Sequence, residues 1–198
     1  MIYDRSDCSV MQLLVNETRR ADVRGPALAA AHRAVGAQLA PYAACRSGLQ
    51  PIDIDHVAGP SRGVALGERD APVVLVLMRA GLFVAEGIWA ALPGAALVPW
   101  SGDAAELRHL PLASRPLIVV DSVINSGRSI GRALRAALPR QPSWISVAAL
   151  VANEQGLGSQ AAEWPNVDFA IARVSQRSYV GKGTTDTGAR LFGTTGWE

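Results

Sequence analysis

Cysteine is scarce in this chain: only Cys8 and Cys45 occur among 198 residues. Their spacing matches neither a CxxC pair nor a zinc finger. Parity permits one disulfide between them, but nothing else in the sequence points to secretion. The start carries Asp4, Arg5 and Asp7 where a signal peptide needs an apolar run. No stretch reaches the roughly 18 uncharged apolar residues of a membrane span; Arg79 and Glu86 interrupt the best candidate. Blocks of Lys or Arg are also missing, and the formal net charge is only +2, so nucleic acid is not expected as a partner. The sequence pI of 8.8 hints weakly at attraction to anions. His32, His56 and His109 show no metal spacing, and no GxxxxGK[ST] loop exists. A cytosolic protein without a membrane partner is expected.

Against these absences stands a composition that is 49% hydrophobic along its whole length, as burial of a core requires. No repeat, low-complexity tract or linker divides the chain, so one domain over residues 1–198 is expected. Leu28, Ala31, Val35 and Leu39 fall on one helical face after Gly25-Pro26, and Pro41 limits that helix. Residues 51–56 alternate apolar and polar, as a half-buried strand does. Val73 to Met78 is a continuous apolar run, the pattern of a strand buried on both faces. A helix over 82–92 is stopped by Pro93-Gly94, a short strand covers 96–99, and a second buried strand spans Leu117–Val120. Ile130, Leu134 and Leu138 place a helix over 129–138. Strands over 144–151 and 167–174 enclose a helical piece near 154–163.

Strands alternating with helices of about ten residues imply βαβ units. The expected fold is therefore α/β, a central, mostly parallel sheet flanked by helices, with a loop-rich C-terminal segment over its carboxyl edge. Ligands bind such sheets beyond the carboxyl ends of the strands. That rule singles out residues 79–81 and 121–129.

The second segment is the more informative. A buried strand delivers Asp121, and Asn125-Ser-Gly-Arg-Ser129 leads into a helix. A phosphate needs several converging donors, and a helix N-terminus supplies free N–H groups and a favourable dipole. Ser126 and Ser129 add hydroxyls, and Gly127 permits close approach or positive φ. Asp121 stands where a carboxylate accepts from ribose hydroxyls. An ordinary strand–loop–helix junction, with Asn125 or Ser126 as N-cap, explains the same residues about equally well on local grounds.

Four apolar residues, an acid and a Ser/Thr-Gly-x-Ser/Thr loop resemble the signature of the type I phosphoribosyltransferases. Two further segments resemble the uracil phosphoribosyltransferase branch: Leu77-Met-Arg-Ala-Gly-Leu-Phe-Val-Ala-Glu-Gly-Ile88 and Tyr179-Val-Gly-Lys-Gly-Thr-Thr-Asp-Thr-Gly-Ala-Arg-Leu-Phe-Gly-Thr194. The three come in the family's order, and the likeness runs from about residue 10 to residue 195. The resemblance implies transfer of phosphoribose from phosphoribosyl pyrophosphate (PRPP) to a small heterocyclic base, uracil or a relative, with release of pyrophosphate. It assigns Asp121 to the ribose hydroxyls, Asn125, Ser126, Gly127, Arg128 and Ser129 to the 5′-phosphate, and Arg79, Ala80 and Gly81 to pyrophosphate. Tyr179, Val180 and Gly183 would read the base, with Asp186 beside them; Arg79, Asp121 and Asp186 are the catalytic candidates. Magnesium would arrive with PRPP, without direct protein ligands. A homodimer is expected.

The sequence departs from the family at several positions. Thr185 stands for a Gly, Ala189 for an Asp, Arg128 for a Gly, and no Arg occurs around Val98-Pro-Trp100. Residues 101–116 are shorter than the family's active-site hairpin. These changes predict an acceptor other than uracil, with Trp100 as a candidate lining of its pocket and His109 on the hairpin. They also leave open a catalytically silent PRPP or nucleotide sensor and a non-catalytic subunit. The plain alternative for Arg79 is neutralisation by Glu86 along the next helix.

Overall fold

Val73 to Leu77 are all buried, as their unbroken apolar run requires of a strand covered on both faces. A computed structural model of the chain describes residues 1–197. Its elements are β1 (Ile2–Asp4), α1 (Ser9–Arg19), α2 (Gly25–Ala43), β2 (Leu49–His56), β3 (Gly59–Leu66), β4 (Val73–Leu77), α3 (Leu82–Ala90), β5 (Ala96–Trp100), β6 (Leu117–Ile124), α4 (Arg128–Ala137), β7 (Ile145–Asn153), α5 (Glu154–Glu163), β8 (Val167–Ser175) and α6 (Thr187–Phe192). Six strands form one sheet in the order β1-β8-β7-β6-β4-β5, and every neighbouring pair is parallel. The α/β architecture expected from the sequence is the one observed. No helix of the described residues is long and apolar enough to cross a membrane.

Two apolar layers cover the sheet. Leu117 and Val119 of β6 pack with Ile130 and Leu134 of α4, while Ile118 and Val120 pack with α2 and α3. Near the carboxyl edge the alternation shifts by one residue in three adjacent strands. Ile124, Ala152 and Val174 join the α4 layer although Val120, Ala148 and Ala172 face the other way. The register holds across this shift, with Asp121 opposite Ala149 and Val123 opposite Val151.

Several local expectations are corrected. Helix α2 runs through Pro41 to Ala43, because a missing N–H in the last turn costs one bond and leaves the preceding helix intact. Leu28, Val35 and Leu39 are buried on it as expected. Residues 51–56 belong to β2, which pairs antiparallel with β3 in a separate hairpin. Its alternation does not reflect a buried face: Ile52 is half-buried and the rest of β2 is exposed. Strand β1 and helix α1 were not foreseen. The first is three residues long, and the second buries only Met11, Val15 and Thr18.

Helices α2 and α3 cross at two glycines. A Cβ on Gly36 would lie 2.0 Å from the Val84 carbonyl oxygen, and one on Gly87 would lie 2.1 Å from that of Arg33. Gly36→Ala gains about 1 kcal/mol of helix propensity. The obstacle is backbone, however, so the helices must separate, and overpacking of this kind costs about 1–3 kcal/mol or more. We expect a net loss of stability, seen as a lower urea midpoint; an unchanged or raised midpoint would show that α3 slides freely along α2.

Candidate active site

From the β4–β6 pair the chain steps outward in both directions, to β5 on one side and to β7 and β8 on the other. This is the sheet's topological switch point, where a crevice opens beyond the strand ends. Pairing of β4 with β6 ends at Val76 and Val120, whereas β6 pairs with β7 as far as Ile124. Asp121 is therefore the first β6 residue past β4. It is not the last of its strand, as the sequence suggested; the crevice forms because β4 turns away.

The loop at Arg79-Ala80-Gly81 fills the other lip. A Cβ on Gly81 would stand 2.7 Å from the Val120 carbonyl oxygen and 3.1 Å from the Asp121 Cα, so only glycine lets this loop lie against β6. Arg79 is exposed and reaches toward α6. Its guanidinium lies 5.8 Å from the Phe192 ring centre, and its Nη2 is 3.6 Å from where a Cβ on Gly188 would be. Glu86 does not neutralise it, because that carboxylate is held by Arg33 Nε at 2.5 Å. Among the described residues Arg79 makes no ion pair.

A cavity of about 690 Å³ opens beside Asp121 and is lined by Asn125, Ser126, Gly127, Arg128 and Ser129. Gly127 adopts φ +73°, and a Cβ there would meet Gln160 Cγ at 2.3 Å. Both features call for glycine. The first i→i−4 bond of α4 runs from the Gly131 N–H to the Gly127 carbonyl at 2.8 Å. The N–H groups of Arg128, Ser129 and Ile130 precede it, and no side chain caps this terminus. These donors and the helix dipole are open to an acceptor from outside the helix.

Sequence reasoning missed the opposite wall. Asn153, Gln155, Gly156 and Ser159, from the start of α5, also line the cavity, as do Ser178 and Val180. A Cβ on Gly156 would fall 1.7 Å from the Asn125 carbonyl oxygen, so α5 backs directly onto the loop. Here the N-terminus is occupied: Asn153 Oδ1 accepts from the Gly156 N–H at 3.1 Å. The signal available in the sequence was a second strand–helix junction, at Asn153-Glu154, on the same sheet edge.

Of the expected base-reading residues only Val180 lines the cavity. Tyr179 lies next to it through Asn125, whose Nδ2 donates to the Tyr179 carbonyl at 2.6 Å and whose Oδ1 accepts from the Tyr179 N–H at 2.9 Å. The Asn125 side chain is thus engaged by protein, as is the Tyr179 backbone. The Tyr179 hydroxyl donates to the Thr185 carbonyl. Thr185 Oγ1 accepts from the Lys182 N–H and donates to the Lys182 carbonyl, both at 3.0 Å. Positive φ falls on Gly183, at 51°, and not on Thr185. Asp186 caps α6 through the Ala189 N–H at 2.7 Å.

Two other candidates move away from the site. Trp100 is 2% exposed, packs in the core with Leu107 and Leu112, and donates from Nε1 to the Asp103 carbonyl at 2.7 Å. It is not among the residues lining that cavity; segment 101–116 is folded inward, onto α4. His109 is exposed and absent from the cavity walls. His32 is buried with Nδ1 unpartnered, and burial, aided by Arg190, lowers its pKa to about 4.

Asp121 accepts from the Ser122 N–H at 2.7 Å, yet burial dominates and pushes its pKa up to about 7, against the opposing pull of the Ser122 and Val123 N–H groups. A raised carboxyl pKa means that ionisation opposes folding. The penalty is absent below the ordinary value of 3.8 and grows until pH passes about 7. Asp121→Asn removes it. We expect the melting temperature of the variant, relative to wild type, to rise progressively between pH 4 and pH 8 in the ligand-free protein. A difference that stays flat across this range would mean that the carboxyl titrates normally.

Comparisons with known proteins bear on the chain as a whole. The chain is 28% identical to the uracil phosphoribosyltransferase of Leifsonia xyli subsp. xyli over 74% of its own length and 77% of that protein. It is 29% identical to that of Shouchella clausii, over 74% and 76% respectively. In fold it is similar to the AQ2163 protein of Aquifex aeolicus, with a TM-score of 0.82 at 22% identity over 99% of this chain and all of that one. The family model described as uracil phosphoribosyltransferase matches residues 6–194. Matched over nearly its whole length, the chain belongs to the uracil phosphoribosyltransferase family and is a phosphoribosyltransferase.

Proposed function

We propose that the cavity binds PRPP and that the protein transfers its phosphoribosyl group to a uracil-type base, releasing pyrophosphate. The observation that carries this is the uncapped N-terminus of α4, open to a cavity that Asp121 shares. The N–H groups of residues 128–130, with Ser126 and Ser129, would hold the 5′-phosphate, and Arg128 would add charge. Asp121 would accept from the ribose hydroxyls. Arg79 would face pyrophosphate, whose oxygens would meet the backbone of Ala80 and Gly81. Because Asn125 occupies the Tyr179 backbone, base reading would fall to Val180 and the turn at Gly183, with Asp186 holding the following helix in place.

The C1′–O bond of such a donor breaks with oxocarbenium-like character, so catalysis rests on placing both reactants and stabilising the departing charge. Arg79 is suited to the second task, since no carboxylate competes for it. Magnesium would enter with PRPP. Asp121 is the carboxylate on the cavity wall, and no cluster of three or more His, Cys, Asp or Glu able to hold a metal occurs among the described residues. These residues fit a cation held chiefly by phosphate oxygens, and that cation would neutralise pyrophosphate charge. A homodimer in the cytosol completes the proposal; exposed Leu49, Ile54, Val57 and Val64 on the β2–β3 hairpin are apolar surface that an assembly could cover.

The grounds for expecting an acceptor other than uracil weaken in three dimensions. Trp100 lies in the core, and the Thr185 hydroxyl closes its own turn. One observation favours the silent sensor instead: segment 101–116 packs inward and contributes no residue to the cavity wall.

Two measurements separate these outcomes. With PRPP and magnesium, we expect uracil-dependent pyrophosphate release with kcat/KM of about 10⁴ M⁻¹s⁻¹ or above. Tight PRPP binding with no release for any base would establish the sensor. Asp121→Asn should weaken PRPP binding at pH 8 by about tenfold or more, the worth of one hydrogen bond to a charged acceptor. Equal calorimetric affinities in variant and wild type would remove Asp121 from the ribose site.

A further inference from the structure

A second cavity, of about 280 Å³, lies on the opposite face of the sheet from α4, between α1 and the carboxyl end of β8. Its polar lining comprises Ser6, Gln12, Asn16, Arg19 and Arg173, with no carboxylate among the lining residues. Arg173 points to this face because the alternation of β8 shifts after Ala172. It is half-buried and makes no ion pair among the described residues. Arg19 has only the Asn16 Oδ1, at 3.4 Å.

The neighbouring polar groups are already engaged. The Ser6 hydroxyl donates to Asp4 Oδ1 at 2.5 Å and accepts from the Val174 N–H at 2.8 Å. The Gln12 amide donates to the Ser6 carbonyl at 2.8 Å. Two guanidinium groups therefore share one recess in which, among the described residues, the long Arg19–Asn16 contact is the one side-chain hydrogen bond either makes. The consequence appears in Arg173, whose pKa burial lowers and nearby Arg19 lowers further. A half-buried cation without a counter-charge is costly, and an anion between the two forks would answer both.

From this pairing of arginines in a carboxylate-free recess, we propose a second anion site, selective for a small phosphoryl-type oxyanion, held by Arg173 and Arg19 with Asn16 at its rim. The volume falls below the roughly 300–1,000 Å³ of ordinary ligand pockets. It fits a phosphate or the head of a small phosphate ester, not a whole nucleotide. The site lies across the sheet from the PRPP cavity and does not depend on the function proposed for that cavity.

The test is equilibrium dialysis with radiolabelled inorganic phosphate, and in a parallel arm with glycerol 3-phosphate, alongside melting curves without anion. We expect Arg173→Gln and Arg19→Gln each to weaken one class of phosphate site by about tenfold or more, while Arg79→Gln leaves that class intact. Binding of glycerol 3-phosphate at the same class would identify esters as ligands; its exclusion, with phosphate retained, would identify free phosphate. Without anion, Arg173→Gln should melt above wild type, since it removes an uncompensated charge. If the variants bind phosphate as wild type does, or if Arg173→Gln melts lower while Arg19→Gln changes nothing, the arginines are structural and the site does not exist.

Discussion

Asn125 exchanges both ends of its amide with the backbone of Tyr179, and through that pair two segments 54 residues apart become one site. Each hydrogen bond is worth only about 1 kcal/mol net, but the pair fixes orientation as well as distance. Everything downstream inherits this placement. The Tyr179 hydroxyl holds the Thr185 carbonyl, Thr185 closes the turn at Lys182, and Asp186 caps α6. Arg190 on that helix donates to the carbonyls of Arg20 and Val23, tying the far end to the connection between α1 and α2. The C-terminal segment is a chain of local closures whose first link is the loop at Asn125.

How far the sequence revealed this depended on where each signal lay. Strands β4 and β6 were legible because burial on both faces leaves a continuous apolar run, Val73–Leu77 and Leu117–Val120, and β7 and β8 because apolar residues dominate theirs despite Ser146, Asp168 and Arg173. The β2–β3 hairpin was not, since Ile52 and Ile54 alternate with acids in the same way whether a core or solvent lies opposite. The junction at 121–129 could be read because its chemistry is local: an acid, a glycine, hydroxyls and a helix start. The destination of the Asn125 amide, the turn of Arg79 toward α6 and the second wall from α5 are tertiary facts. Each is decided by residues far along the chain: Asn125 meets Tyr179 across 54 positions, Arg79 meets the Phe192 ring, and Gly156 backs onto the Asn125 carbonyl. Composition near a motif cannot report them.

Trp100 shows the same limit from the other side. An aromatic residue at a strand's carboxyl end, next to an expected active-site hairpin, suggests a stacking surface for a base. The strand instead closes against Leu107 and Leu112, and the indole N–H finds the Asp103 carbonyl. A buried Trp needs both apolar cover and one acceptor, and segment 101–116 provides the two together. Segment 101–116 thus has a structural use: it roofs the α4 layer. The cavity is left open above α4 and α5, and Val180 and Ser178 bound its other side.

The charge pattern of the larger cavity follows from this openness. Its wall carries Arg128, uncapped N–H groups and a carboxyl whose pKa lies near neutrality, with Arg79 across the Gly81 lip. A fully ionised Asp121 would repel an incoming polyphosphate; a carboxyl whose ionisation burial disfavours would repel it less. On the proposed function, a cation arriving with the phosphates would then favour the ionised form, at the moment when ribose hydroxyls need an acceptor. Burial of Asp121, which costs folding stability in the empty protein, would in that way lower the barrier to admitting an anion and still supply a carboxylate once the anion is neutralised.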